Sequence, residues 1–340
     1  MLRTRIAGVG GYVPPHLVTN EELEGPMEIS AEAIARRTGI RQRYWADRDP
    51  RLSTSDLAAA AARAALAHAD MPRSALDLLI VATLSPDAAA PATACFLQEK
   101  LDVPGIPAFD VRGQCTGFLY GVQMADAYIR TGMYQHVLVV GAELQSKLLD
   151  MTPRGRNVTV LFGDGAGAVV LSACEVKDGS GRSRESFVRS TQLHSDGSML
   201  GHLLWQHPGT MNRQYLTPEL VGAPESHPQM KGRELYDICM ERMPEVSRAV
   251  LAQNGCAPGD VDLFVIHQSN QRINQDYADA MGVPRARVFS TIERFGNTTA
   301  ATIPLGLAEA VREGVLRPGM LVLSASFGSG LTWGASLYRW

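Results

Sequence analysis

A chain of 340 residues with 45% hydrophobic and 20% charged residues and a formal net charge of −3 has an ordinary globular composition and the length of about two domains. That excludes a disordered chain, which needs low hydrophobicity and high net charge, and a small scaffold dependent on staples. It also offers no global basic field for nucleic acid.

No apolar run reaches the roughly 18 residues of a membrane span. The opening MLRTRIAGVGGYVP lacks the apolar core of a secretory signal, so a cytoplasmic protein is expected. The five cysteines at 95, 115, 174, 239 and 256 are odd in number and have no CxxC spacing. They read as free thiols in a reducing compartment, with neither a disulfide framework nor a metal site.

Taken in chain order, short apolar runs alternate with longer Ala-rich stretches. Asp56–Ala69 reads as a helix and LLIVATL (78–84) as a buried strand. A strand-like FDV precedes Gly113, and Thr116–Thr131 follows as a helix. HVLVVGA (136–142) and the GAVVL ending at Leu171 read as strands. Residues 203–230 are rich in Pro, His and Gln and show no period, which fits a surface excursion or a lid over a binding site. Gly232–Asn254 is a helix, LFVIH (263–267) a strand, Thr298–Glu313 a helix and MLVLSAS (320–326) a strand. Such alternation predicts a layered α/β fold.

An internal repeat sharpens the expectation. RAALAHADMPRSALDLLIV (63–81) lies over RAVLAQNGCAPGDVDLFVI (248–266) at an offset of 185. ADAYIRTGMYQHVLVV (125–140) lies over LAEAVREGVLRPGMLVL (307–323), with Gly132 over Gly314. GDGAGAVVL (163–171) echoes GSGLTWGASL (328–337). Two similar halves, 1–174 and 235–340, imply a duplicated core about a pseudo-two-fold axis, with 175–234 as the connecting excursion.

Cys115 follows a strand and Gly113 and opens a helix, where free amides and the helix dipole favour thiolate over thiol. At an offset of 182, Cys115 falls on Asn297 in RFGNTTAATIP, again after a strand and a Gly-containing turn. His267 ends the strand LFVIH before the polar turn QSNQR. Three polar groups at strand and helix ends of two fused halves point to one site, because ligands in α/β sheets favour the carboxyl ends of strands. GDGAGA lacks the Lys-Ser/Thr of a P-loop and reads as a tight turn.

VRGQCTGF, FGDGAGAVVL, HQSNQRI, RFGNTTAATIP and SFGSGLTWGASL together resemble the signatures of the β-ketoacyl-acyl-carrier-protein synthase III family of thiolase-fold condensing enzymes. The resemblance runs from RIAGVGGYVP to Trp340 and is interrupted mainly at 203–230. It implies a five-layered αβαβα fold, a homodimer and a catalytic triad of Cys115, His267 and Asn297. Acyl transfer from a thioester to Cys115 would precede decarboxylative condensation with malonyl-carrier protein. Coenzyme A or phosphopantetheine thioesters would be the substrates, with no permanently bound cofactor, metal, nucleic acid or membrane.

The same resemblance puts Arg37, Thr38 and Arg154 beside the coenzyme entrance and Asn270 in the tunnel. It puts Gln268 and Arg272 on the patch that receives the acidic acyl carrier protein. Two departures stand out. Well-studied bacterial members carry an adenine-stacking Trp where this chain has Ala33, and the last Gly-rich turn reads FGSG, with Ser329 among the glycines. With the 203–230 excursion, these suggest a donor other than acetyl, longer or carrier-bound.

Alternatives within the fold are weaker. A degradative thiolase would want a second catalytic Cys near the C-terminus, whereas the last here is Cys256. A type III polyketide synthase is usually longer and differs around its Cys. An acyltransferase acting on an alcohol or amine often loses the Asn, and Asn297 is intact. A non-catalytic, tunnel-shaping partner subunit would lack the nucleophile.

Overall fold

The computed structural model describes residues 1–180, 183–211 and 213–340. The first half opens with β1 (Leu2–Tyr12), then β2 (His16–Thr19), α1 (Asn20–Met27), α2 (Ala31–Thr38) and β3 (Gln42–Trp45). The β-α core follows as α3 (Thr54–His68), β4 (Leu78–Ala82), α4 (Thr93–Leu101), β5 (Ala108–Val111), α5 (Gly117–Arg130), β6 (His136–Glu143) and β7 (Gly165–Glu175). Its sheet has the order β1-β7-β6-β4-β5. β4 runs parallel to β5 and β6, and β7 lies antiparallel between β6 and β1.

The chain continues through β8 (Val188–Ser195), the short pair β9 (Leu203–Leu204) and β10 (Gln229–Met230), and α6 (Gly232–Gln253). β11 (Leu263–Phe264), α7 (Gln271–Met281), α8 (Ile292–Phe295), α9 (Thr302–Arg312), β12 (Leu321–Gly328) and β13 (Thr332–Arg339) complete it. The second sheet has the order β11-β12-β13-β8, repeating β4-β6-β7-β1 of the first. Val288 bridges Phe264 in parallel where the first sheet has β5. The expected excursion 175–234 therefore contains β8, a strand of the second sheet that pairs with β13. β11 is shorter than LFVIH suggests, yet the amides of Val265 and His267 still bond the carbonyls of Leu323 and Ala325 at 3.0 and 2.8 Å. The parallel track thus carries His267 to the strand end.

Three apolar cores separate five layers. Leu79, Val81, Leu138 and Val140 face α3 and α4. Leu78, Ile80, Val137, Val139, Leu263, Val265 and Val322 face the central layer of α5 and α9. Leu321, Leu323 and Phe264 face α6 and α7. The strands read as unbroken apolar runs because both faces of each sheet are covered. A fourth cluster packs α1, α2, β2 and β3 against Leu149 and Val160.

The register of the repeat differs from the expected 182 around Cys115. Gln114 and Thr299 both adopt left-handed backbone, at φ 44° and 52°, and α5 and α9 begin three residues later in each case. Their spacing is 185, so Cys115 matches Ala300, and Asn297 lies one turn earlier. α9 is three residues shorter than α5, 11 against 14. That shortening shifts the Gly132–Gly314 match by three and accounts for the apparent offset of 182.

Candidate active site

The turn that presents Cys115 depends on small residues. A Cβ at Gly113 would come within 2.8 Å of the Gly117 backbone, and one at Gly141 would overlap the Ala300 carbonyl at 2.3 Å. The second glycine lets the 299–301 turn approach β6, and so brings the two helix starts together. Across the cleft, a Cβ at Gly328 would stand 2.8 Å from the Cys115 Cβ and 3.3 Å from its Sγ. Ser326 Oγ donates to the Cys115 carbonyl at 2.8 Å. Cys115 is therefore held from both halves.

Cys115, His267 and Asn297 line one cleft of about 800 Å³. All three are buried. Asn297 is fixed by its amide to the Leu161 carbonyl at 2.8 Å, and its Oδ1 accepts from the Thr299 amide at 2.8 Å. Its Nδ2 is the group left to face a ligand. His267 Nδ1 lies 2.8 Å from Thr302 Oγ1, and that hydroxyl reaches the Thr299 carbonyl at 2.9 Å. With the hydroxyl proton on Thr299 O, the ring proton sits on Nδ1 and Nε2 is an acceptor. The hydroxyl can instead donate to Nδ1, and then Nε2 carries the proton.

Burial dominates the electrostatics. It pushes the Cys115 thiol up to about 12, with the Glu143 charge adding to it. The backbone N–H groups of Cys115 and Ser329 pull it down by less. Glu143 is itself raised to about 8 by burial, despite bonds from Ser85, Leu84, Ala300 and Thr83, so its charge acts on Cys115 only at high pH. Burial also lowers His267 to about 4, against a hydrogen bond from the ring to the Thr299 backbone. The expected thiolate bias of the helix start is present in the geometry, but desolvation exceeds it, and the resting pair is thiol and neutral imidazole.

The other expected site residues divide. Arg37 and Arg272 line the cleft and are exposed, as are Arg156 and Arg233, which the sequence reading missed. These four cations share the lining with a single carboxylate, Asp237, a local basic patch on a chain of net charge −3. Arg272 pairs with Asp276 at 3.2 Å and stacks over Tyr236 at 4.8 Å. Thr38 lines the cleft, but its hydroxyl donates to Ile34 O at 2.7 Å and accepts from the Ile40 amide at 3.0 Å, closing the end of α2. Asn270 lines it too and caps α7, with Oδ1 on the Arg272 amide at 2.8 Å and Nδ2 on the Arg37 carbonyl at 3.0 Å.

One expectation is corrected. Gln268 does not belong to a docking patch: it is 1% exposed and spends its amide on Ile266, Phe289, Asn274, Ser290 and Thr291. Arg154 is exposed two residues before the cleft-lining Arg156 and is held by Asp150 at 2.6 Å and the Gly222 carbonyl at 2.9 Å. The missed cations share a signal, since Arg156 is two residues beyond Arg154 and Arg233 is the second residue of α6, just beyond the 203–230 segment. Thr302 had none beyond lying five residues after Asn297.

Among the described residues no helix is long and apolar enough to cross a membrane. Among them, too, no group of three or more His, Cys, Asp or Glu could hold a metal ion.

Two family models match the chain, 3-oxoacyl-[acyl-carrier-protein] synthase III over residues 109–197 and its C-terminal counterpart over 251–340. The chain is 43% identical over its whole length to a β-ketoacyl-[acyl-carrier-protein] synthase III of Rhodospirillum centenum, covering 99% of that protein. The crystal structure of the synthase III of Aquifex aeolicus is 38% identical and superposes with a TM-score of 0.87 over 99% of this chain and 100% of that one. The priming β-ketosynthase of the R1128 polyketide pathway is 29% identical, with a TM-score of 0.88 over 99% of this chain and 96% of that one.

Proposed function

The chain belongs to the β-ketoacyl-acyl-carrier-protein synthase III family, and from that premise we propose how its cleft performs the family's condensation. It is an acyltransferase of fatty acid biosynthesis that joins an acyl thioester to malonyl-carrier protein, giving a 3-oxoacyl-carrier protein and carbon dioxide. The observation that carries the assignment of roles is that Cys115, His267 and Asn297, from both halves, line one cleft.

Cys115 is the nucleophile. As the donor thioester enters, the thiol proton passes to His267 Nε2, the thiolate attacks the carbonyl, and the proton leaves on the departing coenzyme A or carrier thiol. The backbone amides of Cys115 and Ser329, which favour negative charge at the sulfur, are assigned to the acyl oxyanion. Malonyl-carrier protein then binds and loses carbon dioxide. Asn297 Nδ2 and His267 Nε2–H stabilise the enolate, the ring proton having moved to Nε2 with Thr302 turned to donate to Nδ1. The enolate carbon attacks acyl-Cys115, and the released thiolate is reprotonated. Preorganised donors of this kind contribute roughly 3 kcal/mol each, about a hundredfold in rate.

The test separates the half-reactions. Mass spectrometry should find the acyl group on Cys115, with none on Cys115→Ala. His267→Ala or Asn297→Ala should slow condensation about a hundredfold and acylation far less. Acyl mass on another cysteine, or normal condensation by Asn297→Ala, overturns these roles.

The basic mouth of Arg37, Arg156, Arg233 and Arg272 suits an anionic phosphopantetheine arm and an acidic carrier protein. Ala33 sits one helical turn before Arg37 and offers no ring for an adenine to stack on, a contact of roughly 1–3 kcal/mol by analogy with base stacking. We therefore propose a donor longer than acetyl, or carrier-bound. Comparison of acetyl, hexanoyl and octanoyl donors by kcat/KM, in wild type and Ala33→Trp, tests it; a clear preference for acetyl-coenzyme A in the wild type overturns it. A homodimer is proposed from β5, whose four residues are all half-buried on the open edge of the first sheet. Such an edge is a template for pairing, and sedimentation at twice the monomer mass is the expected outcome.

A further inference from the structure

Ser329 lies in the turn between β12 and β13, and its hydroxyl has a partner far away in the chain. Ser329 Oγ donates to the Leu203 carbonyl at 2.6 Å, across 126 residues. Its neighbour Gly328 lies against Cys115, where an added Cβ would stand 3.3 Å from the Sγ. Thr332 Oγ1 donates to the Ser329 carbonyl at 3.1 Å and lies 2.5 Å from Thr116 Oγ1, at the start of α5. Ser329 thus joins the β12–β13 turn that faces Cys115 to the start of the excursion.

Leu203 is no arbitrary point on that excursion. It pairs with Met230 in the two-residue ladder that closes the base of 203–230, and both side chains line the cleft. Beyond this base the described residues from 208 to 225 are largely exposed. Trp205 Nε1 on the Ser226 carbonyl at 2.9 Å ties the segment to itself, while Arg154 on the Gly222 carbonyl and His227 on the Leu148 carbonyl at 3.1 Å tie it to the first half. A shift of Leu203 therefore moves Met230 and the cleft wall with it.

We propose that the Ser329 hydroxyl is a strut that fixes the base of the 203–230 excursion to the turn facing Cys115, and so sets the acyl chain the cleft accepts. Ser329 is in this respect a positioning residue, acting through Leu203 and Met230. The specificity half of the proposal rests on the condensing activity proposed above; the mechanical half does not.

Ser329→Ala keeps the Cβ and removes the donor. Amide exchange across 203–206 and 226–231 should accelerate about three- to tenfold, the worth of one net hydrogen bond, and discrimination among acetyl, hexanoyl and octanoyl donors should flatten by a similar factor. Ser329→Thr, which keeps the hydroxyl, should retain wild-type exchange and preference. Should the alanine variant fail to fold, Ser329→Gly must show the same loss. Unchanged exchange in Ser329→Ala overturns the strut. Faster exchange with unchanged donor preference overturns its role in specificity. Wild type that takes no acyl group on Cys115 from any donor overturns the functional reading instead, and leaves the exchange result to decide the strut.

Discussion

Two opposed effects meet at Cys115. The start of α5 and the amides of Cys115 and Ser329 favour the thiolate, while removal from water favours the thiol. Burial is the larger and sets the thiol near 12. Alkylation of the free enzyme by iodoacetamide at Cys115 should therefore rise steadily with pH from 6 to 10. A plateau already reached below pH 7 would show that the helix start and the imidazole outweigh burial. Sequence could single out Cys115 among the five cysteines, because Gly113 and Gly117 betray a tight turn and an incoming helix. It could not show that the sulfur is desolvated, since that depends on Gly328 arriving from 213 residues away. The same blindness misplaced Gln268. A polar side chain beside a site motif reads alike whether it faces a partner or, as with Gln268, satisfies five buried neighbours.

At the scale of elements, the close pair is Gly328 at the end of β12 and Cys115 before α5. Any side chain at 328 must displace one of them, and overpacking of this kind costs about 1–3 kcal/mol. Gly328→Ala should thus reduce Cys115 acylation more than tenfold while lowering Tm by only a few degrees. Equal loss of folding and acylation would make the glycine purely structural. Strands and helices were largely legible because both sheets are covered on both faces and Ala-rich helices fill between them. The apolar runs at 78–84, 136–142 and 320–326 all became strands. β8 was not legible: VRSTQLHS has little apolar periodicity, and its place is fixed by pairing with β13. The register near the nucleophile failed because α9 lost three residues relative to α5. Matching the later glycines carried that deletion back to Cys115. The backbone's own mark, left-handed Gln114 and Thr299, lies on residues whose types do not announce it.

For the molecule as a whole, the central layer of α5 and α9 is shared by both halves, and titratable groups are buried in each half. Their shifts make folding stability depend on pH in a definite direction. His267 takes a proton at about 6.5 when unfolded but only at about 4 when folded. Between those values the unfolded state holds the extra proton, so stability falls as pH drops from 6.5 to 4. Glu143 is the reverse. Unfolded, it loses its proton near 4.5; folded, near 8. The folded state holds the extra proton between them, so stability falls as pH rises from 4.5 to 8. Each group can contribute a slope of up to about 1.4 kcal/mol per pH unit. From 4.5 to 6.5 the two oppose and largely cancel. Asp164, raised to about 6 by burial under bonds from Ser146 and Ala46, adds a decline only below that value. From 6.5 to 8 Glu143 acts without its counterweight. Thermal or urea unfolding should therefore show stability falling across pH 6.5–8. In Glu143→Gln that decline should flatten even if the variant is less stable throughout, because the amide gives its neighbours one acceptor fewer. A decline of the same steepness in wild type and Glu143→Gln would place the titrating group elsewhere.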